Sequence, residues 1–191
     1  MKNSKIAIFA SGSGTNAENI IRFFNDHPTI SVDLVLTNNE NAGVINRAKS
    51  LGIENVIFTK EEFRKMTGML ALLRNIGITH VVLAGFLWLI PKSLIEAFPD
   101  RIINIHPALL PKYGGKGMYG MNVHKAVIEN KEAFSGISIH YVNEKYDEGS
   151  IIFQAKCPVS SSDTPETLAG KIHKLEYEHF PRIIESVIEA S

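Results

Sequence analysis

The chain has 191 residues, a length typical of one globular domain. Hydrophobic residues make up 45% of it and charged residues 21%, which excludes a disordered or low-complexity protein. Twenty basic residues balance twenty acidic ones, so no net charge favours nucleic acid, an anionic membrane or another polyanion.

Compartment and membrane class also follow from simple features of the sequence. The longest apolar stretch, residues 81–90, is too short to cross a bilayer, and the N-terminal residues contain no hydrophobic signal-peptide region. The single cysteine, Cys157, excludes an internal disulfide and suits a reducing compartment. We therefore expect a cytoplasmic protein that does not act at a membrane.

The first half of the chain alternates short apolar runs with segments of helical periodicity. Buried strands are predicted at residues 5–10, 32–37, 55–58, 79–86 and 101–105. Helices are predicted between them at residues 16–27, 42–51, 61–76 and near 91–97. This alternation predicts an α/β fold, a Rossmann-like, mostly parallel sheet with helices on both faces.

The second half predicts an antiparallel extension of that sheet. Residues 134–144 and 150–159 read as strands on either side of the turn sequence KYDEG. In the second strand, alternation predicts one apolar face formed by Ile151, Phe153, Ala155, Cys157 and Val159. Cys157 is therefore predicted to be a core thiol and not a nucleophile. A last helix starts at Thr164–Pro165, and no linker divides the chain, so residues 1–191 are predicted to form one domain.

The first candidate site is the segment IAIFASGSGTNAEN, residues 6–19, which ends a strand and opens a helix. Gly12 and Gly14 let a ligand approach the backbone, and the N–H groups at the helix start favour an anion. With Ala17, the spacing is close to a dinucleotide fingerprint. Residues 37–39 are Thr-Asn-Asn and supply no acid for an adenosine ribose. A single phosphate is therefore favoured over NAD, and a turn without any ligand is the alternative.

The second candidate site is RIINIHPALLPKY, residues 101–113. Asn104 and His106 lie two apart at the carboxyl end of a strand, where open α/β sheets bind ligands. Two prolines restrict the loop that follows, and Leu110–Pro111 is a candidate for a cis bond. Asp147, in the KYDEG turn, is placed to reach the imidazole. A structural histidine with satisfied hydrogen bonds is the alternative for His106.

An Asn, a His and an Asp in one pocket indicate acyl transfer without a covalent intermediate. Asn104 provides a neutral donor for a developing oxyanion, and a protonated His106 provides a charged one. Asp147 is expected to raise the population of the imidazolium and to relay a proton through water. No serine or cysteine lies in a sequence context that would activate it as a nucleophile. The seven histidines and Cys157 lack metal-ligand spacing, so no metal is predicted.

Together these motifs resemble the folate-dependent formyltransferases from about residue 5 to residue 188. The matching segments are SGSGTN, VVLAGF, INIHPALLPKY, ISIHYVNEKYDEGSII and the terminal helix. The SGSGTN loop and the lack of an added domain favour the branch that acts in purine biosynthesis. The resemblance implies transfer of the formyl group of 10-formyltetrahydrofolate to the amine of glycinamide ribonucleotide. It also implies small-molecule partners, no nucleic acid, and either a monomer or a homodimer.

The resemblance also implies which residues form the site. The catalytic residues are Asn104, His106 and Asp147. The substrate phosphate loop comprises Ser13, Gly14, Thr15 and Asn16. The acceptor substrate contacts His173 and Glu176 on the last helix. Folate contacts are expected at Leu87, Trp88, Leu89, Ile90, Ile139, His140 and Val142. The domain thus has a phosphate-binding half, about 1–100, and a catalytic and folate-binding half, about 101–191.

Glu176 stands out from the sequence alone, because it interrupts an apolar row of Ala169, Ile172 and Phe180. An unpaired charge there is costly. Substrate contact and a salt bridge at the helix edge are equally consistent with this position.

Several features depart from the family pattern, mainly in the acceptor half. The loop YGGKGMYG is longer and richer in glycine, which makes a mobile lid at 114–120 plausible. Asn122 replaces a common His, His173 replaces an amide, and Trp88 replaces a basic side chain. Three alternatives stay open: a formyltetrahydrofolate hydrolase, a formyltransferase for another phosphorylated amine, and a non-catalytic nucleotide- or folate-binding module.

Overall fold

The computed structural model describes residues 4–191, and residues 1–3 of the predicted domain lie outside the described residues. The strands are β1 (Ser4–Phe9), β2 (Ile30–Thr37), β3 (Glu54–Ile57), β4 (His80–Leu83), β5 (Ile102–His106), β6 (Phe134–Tyr141) and β7 (Ile151–Pro158). The helices are α1 (Thr15–Phe24), α2 (Gly43–Ser50), α3 (Lys60–Lys65), α4 (Thr67–Ile76), α5 (Lys92–Ala97), α6 (Met121–Glu129) and α7 (Pro165–Glu189).

All seven strands form one sheet in the order β3-β2-β1-β4-β5-β6-β7. The first five are parallel, and β6 and β7 pair antiparallel, which confirms the predicted fold class. The chain moves outward from β1 to β3 and then returns to the other side of β1 as β4. Ligand crevices in open α/β sheets form where the strand order reverses in this way. Here that point lies between the carboxyl ends of β1 and β4.

A separate hydrophobic layer closes each face of the sheet. Side chains alternate along a strand, so Ile6 and Ile8 of β1 face the layer of α1, α2 and α7. Ala7 and Phe9 face the layer of α3, α4 and α5. All four are fully buried, so β1 is the centre of both layers. Of the helices in residues 4–191, none is long and apolar enough to cross a membrane.

Two predicted elements are shorter than expected. The single helix predicted at 61–76 is two helices, because Met66 has a φ of 55° and ends α3 before α4 begins. The Met66 side chain is fully buried, so the break points it into the core. The strand predicted at 79–86 ends at Leu83, since Gly85 turns the chain with a φ of 73°.

The apolar face predicted for β7 is wrong at Ile151, which is 47% exposed. The register between β6 and β7 shifts at Ile139/His140, so Ile151 pairs with His140 while Phe153 pairs with Ile139. Beyond the shift the predicted row is confirmed, and Cys157 packs against the core. Burial raises the pKa of its thiol, which fits a structural cysteine.

The second half contains one helix that the sequence patterns did not reveal. Helix α6 spans Met121–Glu129, directly after the glycine-rich loop, and packs against α7. Its buried residues are Val123, His124 and Val127, a stripe too short to stand out beside the glycines. As predicted, the Leu110–Pro111 bond is cis.

Candidate active site

A cavity of about 620 Å³ opens at the carboxyl ends of β1, β4 and β5. Its other walls come from the 114–120 loop, the KYDEG turn, α6 and α7. The cavity therefore occupies the crevice that the reversal of strand order creates. The residues predicted for catalysis, phosphate binding and acceptor binding all line it, together with Leu87.

Asn104 is held by a histidine on the neighbouring strand. Asn104 of β5 pairs directly with His140 of β6, and the Asn104 Nδ2 lies 2.9 Å from the His140 Nε2. The His140 Nδ1 lies 2.8 Å from the Tyr141 carbonyl, so Nδ1 carries the hydrogen and Nε2 accepts from the amide. His140 thus orients Asn104 and occupies one of its two amide hydrogens, and the other hydrogen stays available in the cavity.

His106 uses both ring nitrogens. Its Nε2 donates to the Tyr113 carbonyl at 2.7 Å, and its Nδ1 lies 3.5 Å from the Asp147 Oδ2. Burial lowers the pKa of His106, and this effect outweighs the opposing influence of Asp147 and the Tyr113 carbonyl. Burial thus opposes the predicted protonated form of His106, whereas the Asp147 carboxylate and the Tyr113 carbonyl favour it.

Asp147 joins the catalytic groups to the glycine-rich loop. Its Oδ1 lies 3.7 Å from the His140 Nε2, and its Oδ2 accepts the Gly115 N–H at 2.9 Å. Burial alone would raise the pKa of Asp147. His140, His106 and the Gly115 N–H together hold that pKa below its usual value, so the carboxylate is charged at neutral pH.

The predicted phosphate loop, residues 13–16, is fixed by the packing of α2 against it. Gly14 has a φ of 77° and precedes α1, whose first turn has no side-chain cap. A Cβ on Gly14 would lie 2.5 Å from the Val44 Cβ, so only glycine fits. The Val44 N–H donates to the Gly12 carbonyl at 3.2 Å. The N–H groups at the start of α1 have no side-chain acceptor, and such uncapped groups can bind an anion.

Two further side chains hold the same loop. Arg47 of α2 donates from Nε to the Ser13 carbonyl at 2.9 Å and also pairs with Glu18 of α1. Asn39 donates to the Ser11 carbonyl at 3.4 Å. Asn39 stands where a dinucleotide fold would place the ribose-binding acid, and here it supports the loop instead.

Glu176 is buried in the cavity wall beside Asn16, with only 6% of its surface exposed. It accepts a 2.8 Å hydrogen bond from the Asn16 amide, so an amide partner takes the place of the salt bridge considered from the sequence. Burial raises the pKa of Glu176, while Asn16 and His173 act in the opposite direction. Glu176 therefore fixes Asn16 of the phosphate loop from the last helix.

The predicted folate residues divide into three environments. Leu87 lines the main cavity, whereas Trp88, Leu89 and Ile90 line a second cavity of about 560 Å³. Tyr146 lines both cavities. Ile139 is fully buried in the core and Val142 packs against the opposite hydrophobic layer, so neither side chain lines a cavity. His140 contacts Asn104 and Asp147 instead of open space.

The sequence patterns missed three parts of this site. The Tyr113 carbonyl and the Gly115 N–H are backbone groups, which no residue pattern reveals. His124 lines the cavity from α6 and is only 3% exposed. The sequence feature that could have indicated helix α6, and with it His124, is the helical spacing of Val123 and Val127. The glycines that precede them obscured this pattern.

One group of potential metal ligands occurs among the described residues, and it lies outside the cavity. His27, Glu185 and Glu189 have ligand atoms within 4.8 Å of one another. The His27 Nδ1 accepts the N–H groups of Thr29 and Ile30, so its Nε2 carries the hydrogen that faces Glu185 at 3.1 Å. This is the geometry of a hydrogen-bonded pair, with no free lone pair on His27.

Comparison with known proteins shows which family this chain resembles. The sequence profile described as Formyl transferase matches residues 4–184. Phosphoribosylglycinamide formyltransferase of Bacillus subtilis is 33% identical, and the alignment covers 96% of this chain and 94% of that protein. The chloroplastic phosphoribosylglycinamide formyltransferase of Arabidopsis thaliana is 41% identical over 98% of this chain. This chain spans 66% of that plant protein and 62% of its Vigna unguiculata counterpart.

Solved structures give the same result. The crystal structure of phosphoribosylglycinamide formyltransferase from Bacillus halodurans matches with a TM-score of 0.88 and 34% identity, covering 97% of this chain and 95% of that one. The enzyme of the same name from Streptococcus pneumoniae matches with a TM-score of 0.85 and 31% identity, covering 98% and 99%.

Proposed function

Because this chain belongs to the formyl transferase family, we propose that it formylates glycinamide ribonucleotide in purine biosynthesis, with 10-formyltetrahydrofolate as co-substrate. The observation that supports the proposal is the set of residues that line one cavity. Asn104, His106 and Asp147 stand at its centre, and a preformed anion loop stands at the same cavity's wall. An acceptor that bears both an amine and a phosphate needs both parts.

The reaction begins with attack of the neutral amine on the formyl carbon. The amine lone pair forms the new C–N bond, and the carbonyl electron pair moves onto the formyl oxygen. The free amide hydrogen of Asn104 donates to this oxyanion, while its other hydrogen stays bound to His140. Because His140 fixes the amide in advance, little reorganisation is needed as charge develops.

The proton of the attacking amine then has a defined acceptor. In this proposal the neutral form of His106, which burial favours, takes up the proton through water and becomes an imidazolium paired with the Asp147 carboxylate. The positive charge of this imidazolium also stabilises the oxyanion. Collapse of the intermediate breaks the bond between the formyl carbon and N10 of the folate, and N10 takes the proton back.

The remaining walls bind and orient the two substrates. Ser13, Gly14, Thr15 and Asn16 receive the phosphate at the start of α1, and Glu176 and His173 receive the sugar end of the acceptor. For the folate, Leu87 lies in the main cavity and leads to the second cavity of Trp88, Leu89 and Ile90, which Tyr146 joins to the first. Any folate contact of residues 139–142 is assigned to the backbone, because Ile139 is fully buried.

The wider setting is part of the same proposal. We place the enzyme in the cytoplasm, as a monomer or homodimer with small-molecule partners and without a metal. A balanced charge of twenty basic and twenty acidic residues supports the absence of a nucleic-acid partner.

The test is mass spectrometry of the products from purified protein, 10-formyltetrahydrofolate and glycinamide ribonucleotide, with a control that omits the acceptor. Formylated acceptor in the full mixture alone is the expected result. Formate release at equal rates in both mixtures would instead identify a hydrolase, for which the anion loop has no use. Binding of both ligands without any product would identify a non-catalytic module, and turnover of a different phosphorylated amine would change the acceptor.

A further inference from the structure

His124 is the buried group in the cavity wall that the mechanism above does not use. It lies in the first turn of α6, is 3% exposed, and lines the cavity together with His173 and Glu176. Its neighbours include His173 and His106, whose positive forms disfavour a charge on it. Burial acts in the same direction and lowers the pKa of His124 to about 4, so the ring is neutral at physiological pH.

The hydrogen bonding of this ring is incomplete. The His124 Nδ1 is fully enclosed and has no partner within residues 4–191. A neutral imidazole carries its hydrogen on one nitrogen only. Orphaned buried N–H groups are rarer than unpaired buried acceptors, which puts the hydrogen on Nε2. Since Nδ1 is the enclosed nitrogen, Nε2 is the one that reaches the cavity.

His80 shows what a structural histidine looks like in the same molecule. It is also 3% exposed, and its pKa is also lowered to about 4 by burial. Its Nδ1 lies 3.0 Å from the Thr79 hydroxyl and its Nε2 lies 3.3 Å from the Ser191 hydroxyl, so both nitrogens have partners. His124 has the same burial, but its Nδ1 has no partner within the described residues, which distinguishes it from a histidine with a purely structural role.

We propose that the His124 Nε2–H is a hydrogen-bond donor to an oxygen of the acceptor substrate, at a position between the reacting amine and the phosphate. This inference rests on the proposed function and adds a substrate-binding residue to it. The ligand atom is a carbonyl or hydroxyl oxygen, because a neutral N–H selects an acceptor without needing a negative charge.

The placement of α6 favours the acceptor over the folate. His124 shares its stretch of cavity wall with His173 and Glu176, and Glu176 is tied to Asn16 of the phosphate loop. The second cavity, which holds the predicted folate residues Trp88, Leu89 and Ile90, does not include His124. Loss of the His124 donor should therefore weaken binding of the acceptor and leave binding of the folate unchanged.

The experiment compares His124→Phe, His124→Gln and His80→Phe. Phe removes the donor and keeps a ring, whereas Gln places an amide nitrogen near the position of Nε2. Calorimetry measures binding of glycinamide ribonucleotide, which needs no turnover, and steady-state kinetics give KM for both substrates. For His124→Phe we expect acceptor binding to weaken about tenfold, with kcat and the folate KM within about twofold. His124→Gln should restore most of the affinity.

Thermal unfolding provides the readout that separates binding from structure. His124→Phe removes a buried nitrogen that has no partner, so its Tm should equal or exceed that of the parent. His80→Phe removes two satisfied nitrogens, so its Tm should fall while acceptor binding stays unchanged. A lower Tm with unchanged acceptor affinity in His124→Phe would overturn the inference, and so would a selective rise in the folate KM. Failure of the parent to form formylated product is a separate outcome that counts against the proposed function.

Discussion

At the scale of single residues, the site shows burial and a neighbouring carboxylate acting in opposite directions on the pKa of one histidine. Asp147 lies near His106, and this proximity favours the imidazolium, yet burial lowers the pKa of His106 below its ordinary value. The sequence predicted that Asn104, His106 and Asp147 lie close together, because Asn104 and His106 stand at the carboxyl end of a strand and Asp147 lies in a turn. It could not predict the lowered pKa of His106, since the burial of this ring depends on the folded chain around it.

Asn104→Ala should lower kcat by about 10²–10³-fold, because it removes a donor to the oxyanion. Asn104→Asp is the matched variant, since it keeps the shape and replaces both amide hydrogens with a carboxylate oxygen. It should be at least as slow as Asn104→Ala. Product formation under saturating substrates measures the effect, and near-normal turnover in either variant would remove Asn104 from the chemistry.

Asp147→Asn should lower kcat by about 10²-fold or more, because the imidazolium formed during the reaction loses its counter-charge. The pH profile gives a second readout. Asp147 favours the charged form of His106, so its neutralisation should lower the pKa of His106 further. The acid limb of kcat/KM should then move to lower pH. A shift of that limb to higher pH would contradict the assignment of His106 as the proton acceptor.

At the scale of elements, one short helix and one break between helices were harder to predict than the strands. The apolar runs gave β1 and β5 because buried parallel strands are nearly continuous in hydrophobic residues. Helix α6 was missed because its buried stripe is short and follows four glycines between residues 114 and 120. The break at Met66 was missed as well, since its reason is a buried methionine in the folded core. Both features depend on tertiary contacts that a local pattern does not contain.

The α1–α2 contact makes Gly14 a sharp test of the phosphate loop. Gly14→Ala would place its Cβ 2.5 Å from the Val44 Cβ, so the loop must move away from α2. We expect the acceptor KM to rise at least about tenfold, as for loss of a charge-assisted hydrogen bond, while the folate KM stays unchanged.

Gly77→Ala is the matched control for this variant. Gly77 has a φ of 81°, close to the 77° of Gly14, but its nearest atom would be 3.9 Å away, and it does not line the cavity. Both substitutions therefore carry the same backbone strain, on the order of 1 kcal/mol, which both unfolding curves should show. If the acceptor KM rises equally in both variants, or in neither of them, the phosphate must bind elsewhere.

At the scale of the whole molecule, the strand order explains why one cavity contains the full site. Residues far apart in sequence meet because β1, β4 and β5 are neighbours whose carboxyl ends point the same way. The alternation of strands and helices was enough to predict this edge. The antiparallel pair β6 and β7 then brings His140 and Asp147 to β5 from the other side. Which of these side chains face the cavity depends on register, and the shift at Ile139/His140 is not visible in the sequence.

Buried neutral histidines make the fold sensitive to acid. Burial lowers the pKa of His80 and of His124 to about 4, and it also lowers the pKa of His106. In the unfolded chain these groups titrate near 6.5, so below that pH the unfolded state binds more protons. The free energy of unfolding must therefore fall as pH decreases from about 7 to about 4. Glu176 opposes this trend, because its raised pKa lets the folded protein take up a proton first.

Urea unfolding at pH 7.5, 6 and 5 should show this loss of stability directly. His80 and His124 should each contribute on the order of 2 kcal/mol by pH 4, after allowance for solvent screening. Glu176 binds only one proton in the opposite sense, so the free energy of unfolding still falls with decreasing pH, as the histidines require. His80→Phe and His124→Phe should each make stability less dependent on pH, because the unfolded state of each variant binds one proton fewer. A free energy of unfolding that rises between pH 7.5 and pH 5 would show that these histidines are charged in the folded protein.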